Sequence, residues 1–278
     1  MPEIRLIALD LDGTLFDDRG SIPEENQKIL QEAHRRGIYI VLSSGRMTDC
    51  VAPAARKLGI DCSLIVYNGA MVRARDSEKR KIIFHKPLPA KYGDMLIEYT
   101  LKNRFHLNYY LNDLLYAQED PALKKYADIY ALQTGAVFHF VSDMGKFRGK
   151  EPTKLILITD ASIPGKPNPR DRDQQYEYFY KILGDEVNLT KTNPEYLEFM
   201  NKEVDKGMAL EKLSSYYGVD LAQVIAFGDG DNDAPMLARA GIGVAMANAG
   251  EKSKKAARIV AGWDNNQAGV AKVLADYL

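Results

Sequence analysis

Asp10 and Asp12 stand one residue apart in Asp10-Leu11-Asp12-Gly13-Thr14, directly after the apolar run Ile4-Arg5-Leu6-Ile7-Ala8-Leu9. The run reads as a buried strand, so both carboxylates fall where a strand ends and a loop relaxes strict alternation of side chains. Both can then turn toward one point. Carboxylate oxygens are ligands for a hard divalent cation, and aspartate can carry a phosphoryl group as a covalent intermediate. The same stretch also reads as a strand followed by an ordinary Asp-Gly turn.

Other residues carry matching chemistry. Gly228-Asp229-Gly230-Asp231-Asn232-Asp233 follows the apolar run Val224 to Phe227, Ser43-Ser44-Gly45-Arg46 follows the run Ile38 to Leu42, and Lys206 precedes Gly207 at a helix start. An oxygen-rich set without thiolate or imidazole suits Mg2+ better than zinc. His34, His85, His106 and His139 are scattered without ligand spacing, which argues against a zinc site. The Asp-x-Asp-x-Asp pattern of Asp229 to Asp233 lacks the glycine and glutamate positions of an EF-hand loop, and Asp231 reads as a solvated turn residue. Taken singly, Lys206 is a surface lysine and Ser44-Gly45 a turn or helix cap. Beside the aspartates they complete a set for phosphoryl transfer, in which positioning and charge stabilisation do most of the catalysis.

The elements around these residues explain how they could meet. Three β-α units run in order. The strand before Asp10 is followed by a helix from Ser21-Ile22-Pro23-Glu24, with Ser21 as cap and Glu24 at the capping-box position, ending at Gly37. The strand Ile38 to Leu42 is followed by a helix to Leu58 with Pro53 near its start, and the strand Cys62 to Tyr67 ends at Asn68-Gly69. Such alternation predicts an α/β fold, a Rossmann-like parallel sheet with helices on both faces. Ligands in that architecture sit beyond the carboxyl ends of the strands, where Asp10, Asp12, Ser44, Lys206, Asp229, Asn232 and Asp233 can converge.

The middle of the chain has a different rhythm. Ala70 to Arg75 and Lys81 to His85 read as a hairpin, as do His106 to Leu111 and Leu114 to Ala117 around Asn112-Asp113. Helical segments at Tyr92 to Lys102 and Pro121 to Leu132, and a strand at Lys154 to Thr159, complete an inserted α+β domain over residues 85–192. Residues 1–84 and 193–278 then form the core. Ala161 to Asp173, with three prolines, reads as an exposed loop. The rhythm returns with a helix Gly207 to Tyr217, strands Val224 to Phe227 and Ile242 to Ala245, and a last helix from Gly269.

Composition narrows the partners. The 278 residues carry a net charge of −1 and 46% apolar residues, which is ordinary for a soluble protein and gives no surface for nucleic acid or anionic membranes. Met1-Pro2-Glu3 lacks the basic and apolar regions of a signal peptide, so the expected location is the cytoplasm. Cys50 and Cys62 form no disulfide framework and read as packing residues.

Together these motifs resemble the haloacid dehalogenase-like hydrolases, specifically the Cof-type phosphatases with the larger α/β cap. The resemblance rests on Asp10-Leu11-Asp12-Gly13-Thr14, Ser44-Gly45-Arg46, Lys206-Gly207 and Gly228 to Asp233 with Pro235-Met236-Leu237, supported by Asn68-Gly69-Ala70 and Gly243 to Ala249. It spans nearly the whole chain. It implies Asp10 as nucleophile and Asp12 as general acid, then base. It implies Leu11, Ser44, Gly45, Lys206 and Asn232 as phosphate-binding residues. It implies Mg2+ held by Asp10, the Asp12 carbonyl, Asp229 and, directly or through water, Asp233. The insert would be a cap that closes over the site and selects the leaving group. Ala247 and Gln267-Ala268 depart from the usual pattern, away from this chemistry. Arg46 either meets a substrate anion or pairs with a nearby carboxylate, with the second preferred.

The expected activity is hydrolysis of a small phosphorylated metabolite, a sugar phosphate or a phosphorylated cofactor, by a monomer or small homo-oligomer. A phosphomutase using the same aspartyl-phosphate and a non-catalytic phosphate-ligand-binding protein are the alternatives. Retention of Asp10, Asp12, Lys206 and Asp229 argues against the second.

Overall fold

The structure, a computed structural model, describes residues 3–161 and 168–278. The chain forms two compact units, one of Met1–His85 with Asp205–Leu278 and one of Lys86–Val204.

In the first unit the amino-terminal half supplies β1 (Leu6–Asp10), α1 (Glu24–Arg35), β2 (Tyr39–Ser43), α2 (Thr48–Leu58), β3 (Ser63–Val66), β4 (Met71–Arg73) and β5 (Ile82–His85). Every residue of β1 is buried, as a central strand covered on both faces requires. β1 pairs in parallel with β2, and β2 with β3, while β4 and β5 turn back antiparallel at one edge. Ser21 does not cap α1. Pro23 occupies that position without a side-chain cap bond, and the Ser21 N–H donates to Asp17 in the preceding turn, 2.7 Å away. Pro53 lies inside α2, and Gly59 ends that helix in the left-handed conformation that glycine adopts without penalty.

The second unit contains α3 (Ala90–Asn103), β6 (His106–Leu111), β7 (Leu114–Gln118), α4 (Lys124–Thr134), β8 (Phe138–Val141), β9 (Lys154–Ile158), α5 (Arg172–Leu183), β10 (Val187–Thr192) and β11 (Tyr196–Asn201). Its sheet runs in the order β10-β11-β9-β6-β7-β8 and is antiparallel except where β7 meets β8. Leu96 and Ile97 of α3 and Phe179 of α5 pack against Leu107, Leu155, Leu157, Leu197 and Phe199 on one face of that sheet.

The end of this unit corrects the boundary expected at residue 192: it closes at Val204. Thr192 and Tyr196 face each other across a hairpin, and β11 pairs with β9 on its other side. Residues 193–195 are therefore the turn of a hairpin within the sheet, with Asn193 at φ 39°. Of the expected loop from Ala161 to Asp173, residues 162–167 lie outside the described residues. Its end is already α5, capped by the Asp171 carboxylate accepting from Gln174 N–H at 2.9 Å. Tyr109 and Tyr110 are packing residues: Tyr109 stacks on Phe147, and the Tyr110 hydroxyl meets that of Tyr130 at 2.6 Å.

A buried histidine makes this unit sensitive to acid. His106 is 3% exposed, with Nε2 2.9 Å from Asn108 Oδ1, and burial pulls its pKa down from 6.5 to about 4. The unfolded chain therefore binds the proton more tightly than the folded one. Stability is unaffected above about pH 6.5 and falls as pH drops toward 4. At pH 5 the expected loss is about 2 kcal/mol relative to pH 7. Urea unfolding at the two pH values should show this loss in the parent and a clearly smaller one in His106→Gln; equal losses would remove His106 as the cause.

The carboxyl-terminal part returns to the first unit with α6 (Lys206–Tyr217), β12 (Val224–Gly228), α7 (Ala234–Arg239), β13 (Ile242–Ala245), α8 (Glu251–Ala256), β14 (Ile259–Val260) and α9 (Gly269–Leu274). The first sheet reads β14-β13-β12-β1-β2-β3-β4-β5, parallel from β14 to β3. Leu210 and Leu213 of α6 and Leu237 of α7 pack against Leu6, Ala8 and Val41 on one face. Among the described residues no helix is long and apolar enough to cross a membrane.

Candidate active site

Parallel pairing sets the site. β1 lies between β12 and β2, with Ala8 opposite Ala226 on one side and Asp10 opposite Ser43 on the other. The loops carrying Asp10 to Thr14, Ser44 to Arg46 and Asp229 to Asp233 therefore leave the same edge of the sheet. Strand-end chemistry at neighbouring carboxyl ends follows from the topology.

Lys206 reaches this edge from the first turn of α6. Its side chain is fully buried, and its ammonium donates to Asp10 Oδ1 at 2.6 Å and to Asp233 Oδ1 at 2.5 Å. Asp205 caps α6 by accepting from Met208 N–H at 2.6 Å and forms an ion pair with Arg239 of α7. The helix start that carries Lys206 is thus anchored twice. Asp233 Oδ2 accepts from the N–H groups of Asp229 and Gly230, at 3.0 and 2.9 Å. Asp229 Oδ1 accepts from the Thr14 hydroxyl at 2.7 Å.

Oxygens of Asp10, Asp229 and Asp233 lie within 4.8 Å of one another. Three carboxylates against one ammonium leave two uncompensated negative charges, the amount a divalent cation cancels. The donors are all oxygen and partly buried, which fits Mg2+. The electrostatics record the same imbalance. Burial, reinforced by the Asp233 carboxylate, pushes the Asp10 carboxyl well above its usual range, although Lys206 opposes this. Burial pushes Asp229 up to about 6 against the hydrogen bond from Thr14. For Lys206, burial alone would lower the pKa, but Asp10 and Asp233 outweigh it and hold the ammonium above its ordinary range.

Asp12 differs from the other three. Its carboxylate is not part of that cluster; it is gripped by Arg46, with Nε 3.0 Å from Oδ2 and Nη2 2.7 Å from Oδ1. Arg46 thus pairs with a carboxylate of the site. Leu11 is fully buried, and its carbonyl accepts from Leu15 and Phe16 N–H in a tight loop. Gly13, at φ 81°, is held against Asp229: a Cβ there would stand 2.3 Å from Oδ2. Asn248 Nδ2 donates to the Gly13 carbonyl at 2.8 Å.

A short left-handed turn ties the remaining loops together. Tyr67 and Asn68 have φ near 53° and 52°. The Tyr67 N–H donates to the Arg46 carbonyl and the Asn68 N–H to the Ser44 carbonyl, both at 3.0 Å. The Asn68 side chain lies against Gly45 and accepts from Asn232 Nδ2 at 2.9 Å. Gly69, at φ 101°, approaches the Asp205 carbonyl so closely that a Cβ would stand 2.3 Å from its oxygen. One turn therefore sets the spacing of the loops bearing Ser44, Lys206 and Asn232. The motif Asn68-Gly69-Ala70 marks this turn in the sequence, but its contacts were not legible there. The supporting bonds of Thr14 and Asn248 were equally hidden, because each joins segments more than 200 residues apart (229 − 14 = 215 and 248 − 13 = 235).

Known proteins resemble this chain along nearly its whole length. The family model for haloacid dehalogenase-like hydrolases matches residues 7–274. The crystal structure of TM0651 from Thermotoga maritima aligns with a TM-score of 0.85 at 32% identity, over 98% of this chain and 97% of that one. The phosphatase YwpJ of Bacillus subtilis is 27% identical over 293 residues, covering 98% of this chain and 99% of its own. The 5-amino-6-(5-phospho-D-ribitylamino)uracil phosphatase YitU of Bacillus subtilis is 28% identical over 279 residues, covering 98% and 97%. With its parallel core, its separate, mostly antiparallel cap sheet and a match along nearly its whole length, the chain belongs to the haloacid dehalogenase-like hydrolases and is a phosphatase of the Cof type.

Proposed function

We propose that this phosphatase hydrolyses a small phosphorylated metabolite, a sugar phosphate or a phosphorylated cofactor, with Mg2+ and through a phosphoryl group carried on Asp10. The observation that carries the reading is the convergence of Asp10, Asp229 and Asp233 around the buried Lys206 ammonium.

Asp10 attacks phosphorus, and the bond from phosphorus to the leaving oxygen breaks. Asp12 donates a proton to that oxygen as it departs. Asp12 then takes a proton from water, the water oxygen bonds to phosphorus, and the bond to Asp10 breaks with its electron pair returning to the carboxylate. Lys206, the Ser44 hydroxyl, the Asn232 amide and the backbone N–H groups of Leu11 and Gly45 hold the phosphate oxygens, where charge builds in the transition state. Mg2+ held by Asp10, Asp229, Asp233 and the Asp12 carbonyl would neutralise phosphate charge that otherwise repels the Asp10 carboxylate.

The relative named for 5-amino-6-(5-phospho-D-ribitylamino)uracil supports small phosphorylated metabolites as the substrate class. Purified protein should release inorganic phosphate from members of such a panel in Mg2+, stop when EDTA is added and recover when Mg2+ is restored. Activity indifferent to chelation would remove the metal. Isomer formation in place of phosphate release would replace hydrolysis with a mutase reaction.

A further inference from the structure

Arg46 is exposed enough to be dismissed as a surface charge, with 35% of its side chain accessible. Its surroundings say otherwise. An ordinary surface ion pair joins two mobile side chains and contributes little. Here both roots are fixed. The Arg46 N–H donates to Ser44 Oγ at 3.2 Å, and its carbonyl accepts from Tyr67 N–H at 3.0 Å, on the left-handed turn described above. Asp12 sits in a loop closed by a backbone bridge to Phe16 and by the Phe16 N–H donating to the Leu11 carbonyl at 2.8 Å. Between these fixed points the guanidinium takes both oxygens of Asp12, at 3.0 and 2.7 Å. A two-pronged pair constrains the plane of the carboxylate as well as its position, which one lysine ammonium cannot do.

We propose that Arg46 is a positioning residue for the reaction: its fork sets the direction in which Asp12 presents an oxygen to the leaving group and to the attacking water. A carboxylate has about four lone-pair sites, and the fork uses two of them, so each oxygen keeps one for a proton. The same loop carries Ser44 and Gly45, so the phosphate cup and the aim of Asp12 are set by one segment. This assignment rests on the acid–base role of Asp12 proposed above.

The test compares Arg46→Ala, Arg46→Lys, Asp12→Asn and the double variant Arg46→Ala/Asp12→Asn on p-nitrophenyl phosphate and phenyl phosphate. Phenolate is the poorer leaving group and needs the proton more. Arg46→Ala is expected to lower kcat about tenfold on p-nitrophenyl phosphate and more on phenyl phosphate, with little change in KM. Arg46→Lys, which keeps the charge but loses the fork, should recover only part of the loss. In the Asp12→Asn background, Arg46→Ala should cost nothing further, because the residue it acts through is gone. A raised KM with unchanged kcat would instead make Arg46 a binder of a substrate anion and overturn the proposal. So would an undiminished effect in the Asp12→Asn background. If Asp12→Asn itself kept full kcat on phenyl phosphate, the acid–base reading would fall together with the Arg46 assignment. If Asp12→Asn were slow and Arg46→Ala were not, the Arg46 assignment alone would fall.

Discussion

Asp10→Asn is expected to lower phosphate release by a factor of about 10^4 or more while the protein stays folded. The amide has nearly the shape of the carboxylate, and its oxygen can still accept from the Lys206 ammonium that lies 2.6 Å from Asp10 Oδ1. It cannot attack phosphorus to form the covalent intermediate. The substitution also removes one of three clustered carboxylates, of which only Asp10 and Asp233 pair with the Lys206 ammonium, so like-charge repulsion in the cluster falls. Unfolding by urea should therefore occur at the parent's midpoint or above it. Phosphate release within about a hundredfold of the parent would show that another group is the nucleophile.

Lys206→Met should change stability as strongly as activity. The lysine is fully buried and bridges Asp10 and Asp233, which are themselves nearly inaccessible. Removing one partner from a buried ion cluster leaves the others uncompensated and typically costs about 3–5 kcal/mol. That cost should be largest in EDTA and should shrink in millimolar Mg2+, because a divalent cation replaces the missing positive charge. The parent, already partly neutralised by Lys206, should show a smaller difference between the two conditions. Urea unfolding of both proteins with and without Mg2+ measures the two gaps. A variant that unfolds with its parent in EDTA would mean that the ammonium does not hold the carboxylates together.

The two expectations separate what Lys206 does. In the proposed role of holding phosphate it acts only when substrate is present. As the counter-charge of Asp10 and Asp233 it acts through ion pairs of 2.6 and 2.5 Å.

The sequence by itself determined the parallel core, because uninterrupted apolar runs such as Leu6 to Leu9 and Val224 to Phe227 are stable only where both faces of a strand are covered. It also determined which chemistry was available, since Asp10, Asp12, Lys206 and Asp229 supply the carboxylates and the ammonium that a hard cation and phosphoryl transfer require. Tertiary structure decided the rest. The insert boundary expected at residue 192 falls inside a hairpin, because β11 pairs on both sides and keeps the chain in the second sheet. Ser21 has the capping residue type, but Asp17 takes its N–H for a turn, and the helix begins at Glu24 with Pro23 in the cap position. The division of labour among the aspartates was likewise invisible in one dimension. Asp10 and Asp12 are near neighbours in the chain, yet Asp10 faces the buried ammonium while Asp12 faces Arg46. Which partner each one finds depends on loops brought together by parallel strand order, and spacing along the chain does not encode that order.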